Sequence, residues 1–225
     1  MGTMSKDLWG RLADNYDVDH TLISGADLVG AIQSEVAAAV PAGEVVELGC
    51  GTGLYTRAYA GRCARVIATD KSAPMLRQAE RTLTGLPNVT VRFADATATG
   101  LPAESADAVV AVNLLHIVPD AAAVLAEARR LLRPGGTAIL VDATGEKLPV
   151  RHMLTSTWHI IRRWGLIREK GQQNLTQAGL EALVRKAGFE GLQGHLLTGT
   201  AMNAAFVRAA KPGGRATPPD ENDPQ

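Results

Sequence analysis

Cysteine is nearly missing from this 225-residue chain, which carries only Cys50 and Cys63. Two thiols build no disulfide framework at this length, and no CxxC pair or His/Cys cluster has metal-site spacing. Charge of either sign is not in excess. Lys plus Arg and Asp plus Glu both number 23, so the formal net charge is zero. That balance gives no general pull toward nucleic acid. A local pair such as Arg162-Arg163 reads as a solvated helix face or a small basic patch. No apolar run is long enough to span a bilayer, and the opening MGTMSKDLWG has no apolar signal core. Lys6 stands where N-myristoylation needs Ser or Thr. The expectation is a cytoplasmic protein with no nucleic-acid partner and no stable membrane insertion; a homodimer is left open.

What the chain does have is 46% hydrophobic and 20% charged residues, suited to one α/β domain with at most a small cap. Leu28, Ala31, Ile32, Val36, Ala39 and Val40 recur at helical spacing over 25–40, and Pro41 ends the run. Short apolar strands are predicted at 44–48, 65–69, 89–93, 107–112 and 137–142. Between them run helices over 54–63, after Ser72 with Pro74 in the first turn, and after Asp120. Such alternation implies a parallel sheet covered on both faces. The rhythm then fails. Residues 148–171 are aromatic and basic, with helical potential and no strand. Thr176 caps a further helix closed by Gly188. Two late strands, near 191–197 and 202–208, are joined by a hairpin-short spacer and should be antiparallel. The Pro- and Gly-rich end AKPGGRATPPDENDPQ predicts a disordered tail over 211–225. The domain division is then an N-terminal helical lid over 1–41, a main domain over 42–210 with the helical insertion at about 148–171, and the tail.

The densest signal is VVELGCGTGLYT, 45–56, where Gly49, Gly51 and Gly53 follow a strand at every second position. A phosphate-binding P-loop would need Lys after its last glycine, and none follows. The dinucleotide fingerprint GxGxxG would need glycine where Leu54 stands. The pattern with Glu47 two residues before Gly49 resembles motif I of class I S-adenosylmethionine (SAM) dependent methyltransferases. Asp70 at the end of the second strand, FADATATGLP with Asp95, ADAVVAVNLLHIVPD and EARRLLRPGGTAILVD continue the resemblance in order over about 45–142. It implies a Rossmann-like α/β fold: a seven-stranded, mostly parallel sheet with the last strand antiparallel and helices on both faces. It also implies methyl transfer from SAM as cofactor.

On that reading the methionine part of SAM lies against the bare backbone of Gly49, Cys50, Gly51, Thr52 and Gly53. Asp70 takes the ribose hydroxyls, with Lys71 and Met75 beside it. Asp95 or the Ala96 amide takes the adenine, and carbonyls at Gly49 and near Asn113 and Leu114 take the ammonium group. Glu47 could equally serve local backbone amides, Asp95 a plain turn, and Cys50 is a small residue rather than a nucleophile, since no base is implied beside it.

Methyl transfer to a good leaving group needs mainly positioning and desolvation, with a general base only when the acceptor must lose a proton. His116 is the candidate base or orienting group, with a structural loop role as the alternative. Tyr16 resembles a lid residue of the family. Tyr16, His20, His116, Trp158 and His159 are the candidate acceptor contacts; Trp164 is a further candidate wall, and helix packing explains either tryptophan equally well. A modest roof favours a small-molecule methyl acceptor at O, N, C or S. The Asn/Asp-Pro-Pro-aromatic signature of amino-group methylation is absent, as is the acidic cluster of catechol-type enzymes. An NAD(P)-dependent oxidoreductase and a non-catalytic SAM-binding scaffold are the alternatives.

Overall fold

A computed structural model describes residues 8–164 and 175–213. Its centre is a seven-stranded sheet in the order β3-β2-β1-β4-β5-β7-β6. The strands are β1 (Glu44–Leu48), β2 (Arg65–Asp70), β3 (Val89–Phe93), β4 (Ala106–Val112), β5 (Leu132–Thr144), β6 (Glu190–Thr198) and β7 (Asn203–Ala210). β1 to β5 pair in parallel, while β7 runs antiparallel between β5 and β6. The short spacer in the sequence thus does make a hairpin.

The strands are apolar at successive positions because both sheet faces are covered. Val46, Val109 and Leu140 point to one face, under Leu125 and Leu131 of α6 (Ala121–Leu131) and Leu180 and Val184 of α8 (Gln177–Lys186). Their neighbours Val45, Val110, Ile139 and Val141 point to the other, under Leu28, Ile32 and Val36 of α3 (Ala26–Ala39) and Tyr59 of α4 (Thr56–Tyr59). The remaining helices are α1 (Leu8–Leu12), α2 (Tyr16–Ser24), α5 (Ala73–Thr82) and α7 (Val150–Trp164).

The caps behave as their chemistry requires. Asp120 accepts from the Ala123 N–H and Thr176 from the Gly179 N–H. Gly188 takes φ +82° just after α8. Two elements depart from expectation. The helix foreseen over 54–63 is only α4 followed by a 3-10 turn, Ala60–Arg62; Asn88 Nδ2 donates to the Ala60 and Cys63 carbonyls and fixes that ending. β5 starts five residues early and runs through Pro134 and Gly135. Its backbone there is joined to Lys211, whose N–H donates to Gly136 and whose carbonyl accepts from Gly135. The paired chain thus runs one residue into the expected tail, and residues 214–225 lie outside the described ones, as does 165–171 of the insertion. Chain order reverses between β1 and β4, and at such a point the carboxyl ends of parallel strands open a crevice.

Candidate active site

That crevice is a cleft open to solvent. Its walls come from successive strand ends: Glu47 in β1 with Gly49, Cys50, Gly51 and Thr52 after it; Asp70 at the end of β2 with Lys71 and Met75 after it; Asp95 and Ala96 after β3; Asn113 and Leu114 after β4. Every residue expected around a cofactor is present except Gly53. The two glycines differ in their reasons. Gly51 has φ +55° and nothing within 4 Å of where a Cβ would stand, so its bare face opens on space. Gly53, at φ +80°, would press a Cβ against Leu83 at 3.1 Å. It lets α5 approach the turn and does not face the cleft.

Asp70 is braced from both sides, accepting from Gly51 N–H at 3.0 Å on Oδ2 and Ser72 N–H at 2.8 Å on Oδ1. Burial raises its pKa, against the pull of those amides. Asp95 Oδ1 accepts both the N–H and the hydroxyl of Thr97, which lowers its pKa and makes it a turn residue as well as a cleft wall. Glu47 is 1% exposed, and one oxygen, Oε2, accepts from Thr56 Oγ1 at 2.5 Å and Tyr59 OH at 2.7 Å. Burial outweighs those bonds and pushes its carboxyl up to about 7, with the charge of Asp70 adding to the rise. Burial also raises the Cys50 thiol, leaving it protonated and no nucleophile.

Beside the cleft lies a second, partly open cavity. The two share Trp9, Tyr16, Asn113 and Ile117 as a common wall. α2 supplies Tyr16, His20, Ile23 and Ser24; the loop after β4 supplies His116; α7 supplies Ile160 and Trp164; Ala143 and Met202 complete it. Tyr16 lies between the rings of Trp164 and His20, parallel to both, at centroid distances of 5.6 and 5.5 Å. α2 is tied down at both ends of this stack: Thr52 Oγ1 donates to Asp17 at 2.5 Å, and Arg163 reaches Asp19 at 3.1 Å. The Trp164 Nε1–H is buried and has no hydrogen-bond partner among the described residues.

Trp158 and His159, expected as acceptor contacts, line neither cavity. The phase of α7 decides this. Ser156, Ile160 and Trp164 follow at i, i+4, i+8 on its inner face, and Trp158, half a turn away, is 55% exposed under Arg162. His116 is well placed. Its Nδ1 lies 2.5 Å from Oδ1 of Asp142, which is fully buried and also accepts the Leu115 and His116 backbone N–H groups. A carboxylate accepts, so in the neutral imidazole the proton sits on Nδ1 beside Asp142 and Nε2 is the acceptor.

Residues 46–140 match the profile of a family described as "Methyltransferase domain". The chain is 29% identical over 227 residues to demethylmenaquinone methyltransferase of Clavibacter sepedonicus, covering 94% of this chain and 92% of that protein. A highly reducing polyketide synthase, aurA, of Calcarisporium arbuscula is 32% identical over 194 residues. That match covers 79% of this chain but spans only 8% of the synthase's length. In structure, a SAM-dependent methyltransferase of Thermotoga maritima superposes with a TM-score of 0.71 at 22% identity, covering 91% of this chain and 98% of the other. Residues 46–140 thus form a methyltransferase domain, and the chain has the fold of SAM-dependent methyltransferases. The oxidoreductase alternative falls with that result.

The cofactor of this methyltransferase family is SAM, and the cleft fits it. Its floor at Gly51 is bare where a side chain would intrude, a braced carboxylate stands at the end of β2, and the wall residues are mostly apolar. Sequence reasoning missed Trp9, Tyr55 and Asp142. Tyr55 lines the cofactor cleft and meets His20 Nε2 at 2.8 Å. A carboxylate at the end of an otherwise apolar strand was the one available signal for Asp142.

Proposed function

We propose that this methyltransferase acts on a small molecule held in the second cavity, with His116 as the general base and Asp142 holding it in the working tautomer. When bound, SAM supplies a methyl group on a good leaving group. Gly51, Asp70, Asp95 and Asn113 would hold it by its methionine, ribose and adenine parts. The observation that carries the reading is that His116, paired with the buried Asp142, lines a cavity that shares a wall with the cofactor cleft. The remaining walls, Trp9, Tyr16, Ile117 and Trp164, orient the acceptor and exclude water; such orientation is worth ~7–11 kcal/mol. Proton removal adds roughly 10²–10⁴-fold. The Trp164 N–H, without a partner among the described residues, favours an acceptor bearing a carbonyl or hydroxyl oxygen, since a buried donor left alone costs about 1–3 kcal/mol.

Transfer from labelled SAM to a panel of phenols, enols, amines and thiols tests the proposal. Turnover should concentrate in the oxygen-bearing acceptors whose reacting atom loses a proton, and His116→Gln should lower kcat. Turnover indifferent to His116→Gln would refute the assignment of the base.

A further inference from the structure

The outer face of α7 has no role in the site and is unusual for a surface. Val150, Met153, Leu154, Trp158 and Ile161 recur at three- and four-residue intervals and are 47 to 67% exposed. Contiguous apolar rows of this kind mark a surface that meets something. α2, which packs on α7, adds exposed Val18 and Leu22. The charges on α7 itself are all of one sign, while α2 brings Asp17, held by Thr52, and Asp19, held by Arg163. From Lys147 to Trp164 the chain has Lys147, Arg151, Arg162 and Arg163 and no Asp or Glu. Arg163 is engaged with Asp19, and the Arg162 guanidinium sits 5.3 Å from the Trp158 ring centroid.

We propose that this face docks the protein on an anionic membrane surface, with α7 lying in the plane of the interface. An apolar row carrying a tryptophan, flanked by cations, is the composition that such a helix needs: the row enters the acyl boundary, and the arginines stay at the head groups. A second copy of the chain fits less well. Two-fold packing of α7 on itself would set its cations against each other with no acid on the helix to offset them. The inner face of the same helix supplies Ile160 and Trp164 to the second cavity, so docking would bring the lipid phase next to that cavity. Delivery of a membrane-dissolved acceptor rests on the function proposed above; the docking itself does not.

The test uses the full chain with sedimenting vesicles of phosphatidylcholine alone and of phosphatidylcholine with 30 mol% phosphatidylglycerol. No methyl transfer is measured, so its outcome is independent of the acceptor. The protein should pellet with the anionic vesicles, be released by salt, and show a blue shift in tryptophan emission. Arg151→Ala and Arg162→Ala should each lower partitioning about fivefold, and Leu154→Glu more than tenfold. Unchanged S-adenosylhomocysteine affinity by calorimetry shows that the variants are folded. The proposal is overturned if the wild type stays in the supernatant with anionic vesicles, or if Leu154→Glu pellets like the wild type. It is equally overturned by a dimer in light scattering that Leu154→Glu dissociates while no vesicle binding is seen.

Discussion

Glu47→Gln should make the protein more stable above about pH 4.5, with the full gain reached from about pH 7. The buried carboxyl is pushed up to about 7 from its ordinary 4.5, chiefly by desolvation. Between those values the native state binds the proton that the unfolded chain has released. Folding stability from this group is therefore complete below about pH 4.5 and is lost as pH rises through 7. The loss, at about 1.4 kcal/mol per tenfold change in proton affinity, comes to about 3 kcal/mol. Glutamine keeps a carbonyl oxygen for the Thr56 and Tyr59 hydroxyls and has no charge to bury.

The wild-type curve alone hides this. His20 is held down to about 4 by burial, with His116 nearby adding to the effect. Its contribution runs the opposite way: stability is present above 6.5 and lost as pH falls toward 4. The two nearly cancel over pH 4.5 to 7. Subtracting wild type from variant removes His20 and leaves Glu47. In thermal unfolding from pH 4.5 to 8.5, the variant should match the wild type at the acid end. At the alkaline end its Tm should exceed the wild type's by about 6–12 °C, at roughly 2–4 °C per kcal/mol for a chain of this size. Two parallel Tm curves would refute the reasoning, because they would mean that Glu47 ionises in the native state as it does in water.

Other consequences can be checked without knowing the acceptor or with any acceptor that turns over. Asp70→Asn should weaken S-adenosylhomocysteine binding about 10- to 100-fold by calorimetry, since charge-assisted bonds are worth ~1.5–3 kcal/mol each. Gly51→Val should abolish that binding by filling the open floor of the cleft. Gly53→Ala should instead lower stability by about 1–3 kcal/mol, through its clash with Leu83, and leave affinity nearly intact. Asp142→Asn places an amide N–H opposite His116 Nδ1 and reverses the ring's tautomer. Turnover should fall about 10²–10⁴-fold with cofactor affinity retained, and recovery at high pH would argue against it.

The cofactor cleft was readable from the chain because each of its walls is local to one strand end. Glu47, Gly51, Asp70, Asp95 and Asn113 each follow an apolar run within a residue or two, and parallel strands place all such ends on one edge. The second cavity is assembled otherwise. His116 meets Asp142 across 26 residues and His20 meets Tyr55 across 35, pairings that no periodicity records. The inward tryptophan of α7 was ambiguous for a physical reason: the helix is apolar on both faces, so the choice between Trp158 and Trp164 depended on a phase that only packing sets. Glu47 was legible as an acid at the turn. That it serves Thr56 and Tyr59, and so anchors α4 to β1, depends on a short helix that the sequence made look longer.

The two histidines of the second cavity have separable duties. His20 is buried, stays neutral at physiological pH, and has no carboxylate described against its ring; its neighbours are the hydroxyls of Ser24 and Tyr55. A proton drawn from an acceptor would find no counter-charge there. His116 has one in Asp142, which is why His116 is the proposed base. His20 belongs instead to a chain of neutral bonds that passes through Tyr55 to Asn113. Asn113 stands at φ +54°, with its side-chain oxygen accepting from Ala143 N–H, and it faces both cavities. An asparagine can hold that left-handed turn where most residues are strained. The backbone between the two cavities is thereby fixed by uncharged groups, and the proton transfer proposed for His116 would leave it in place.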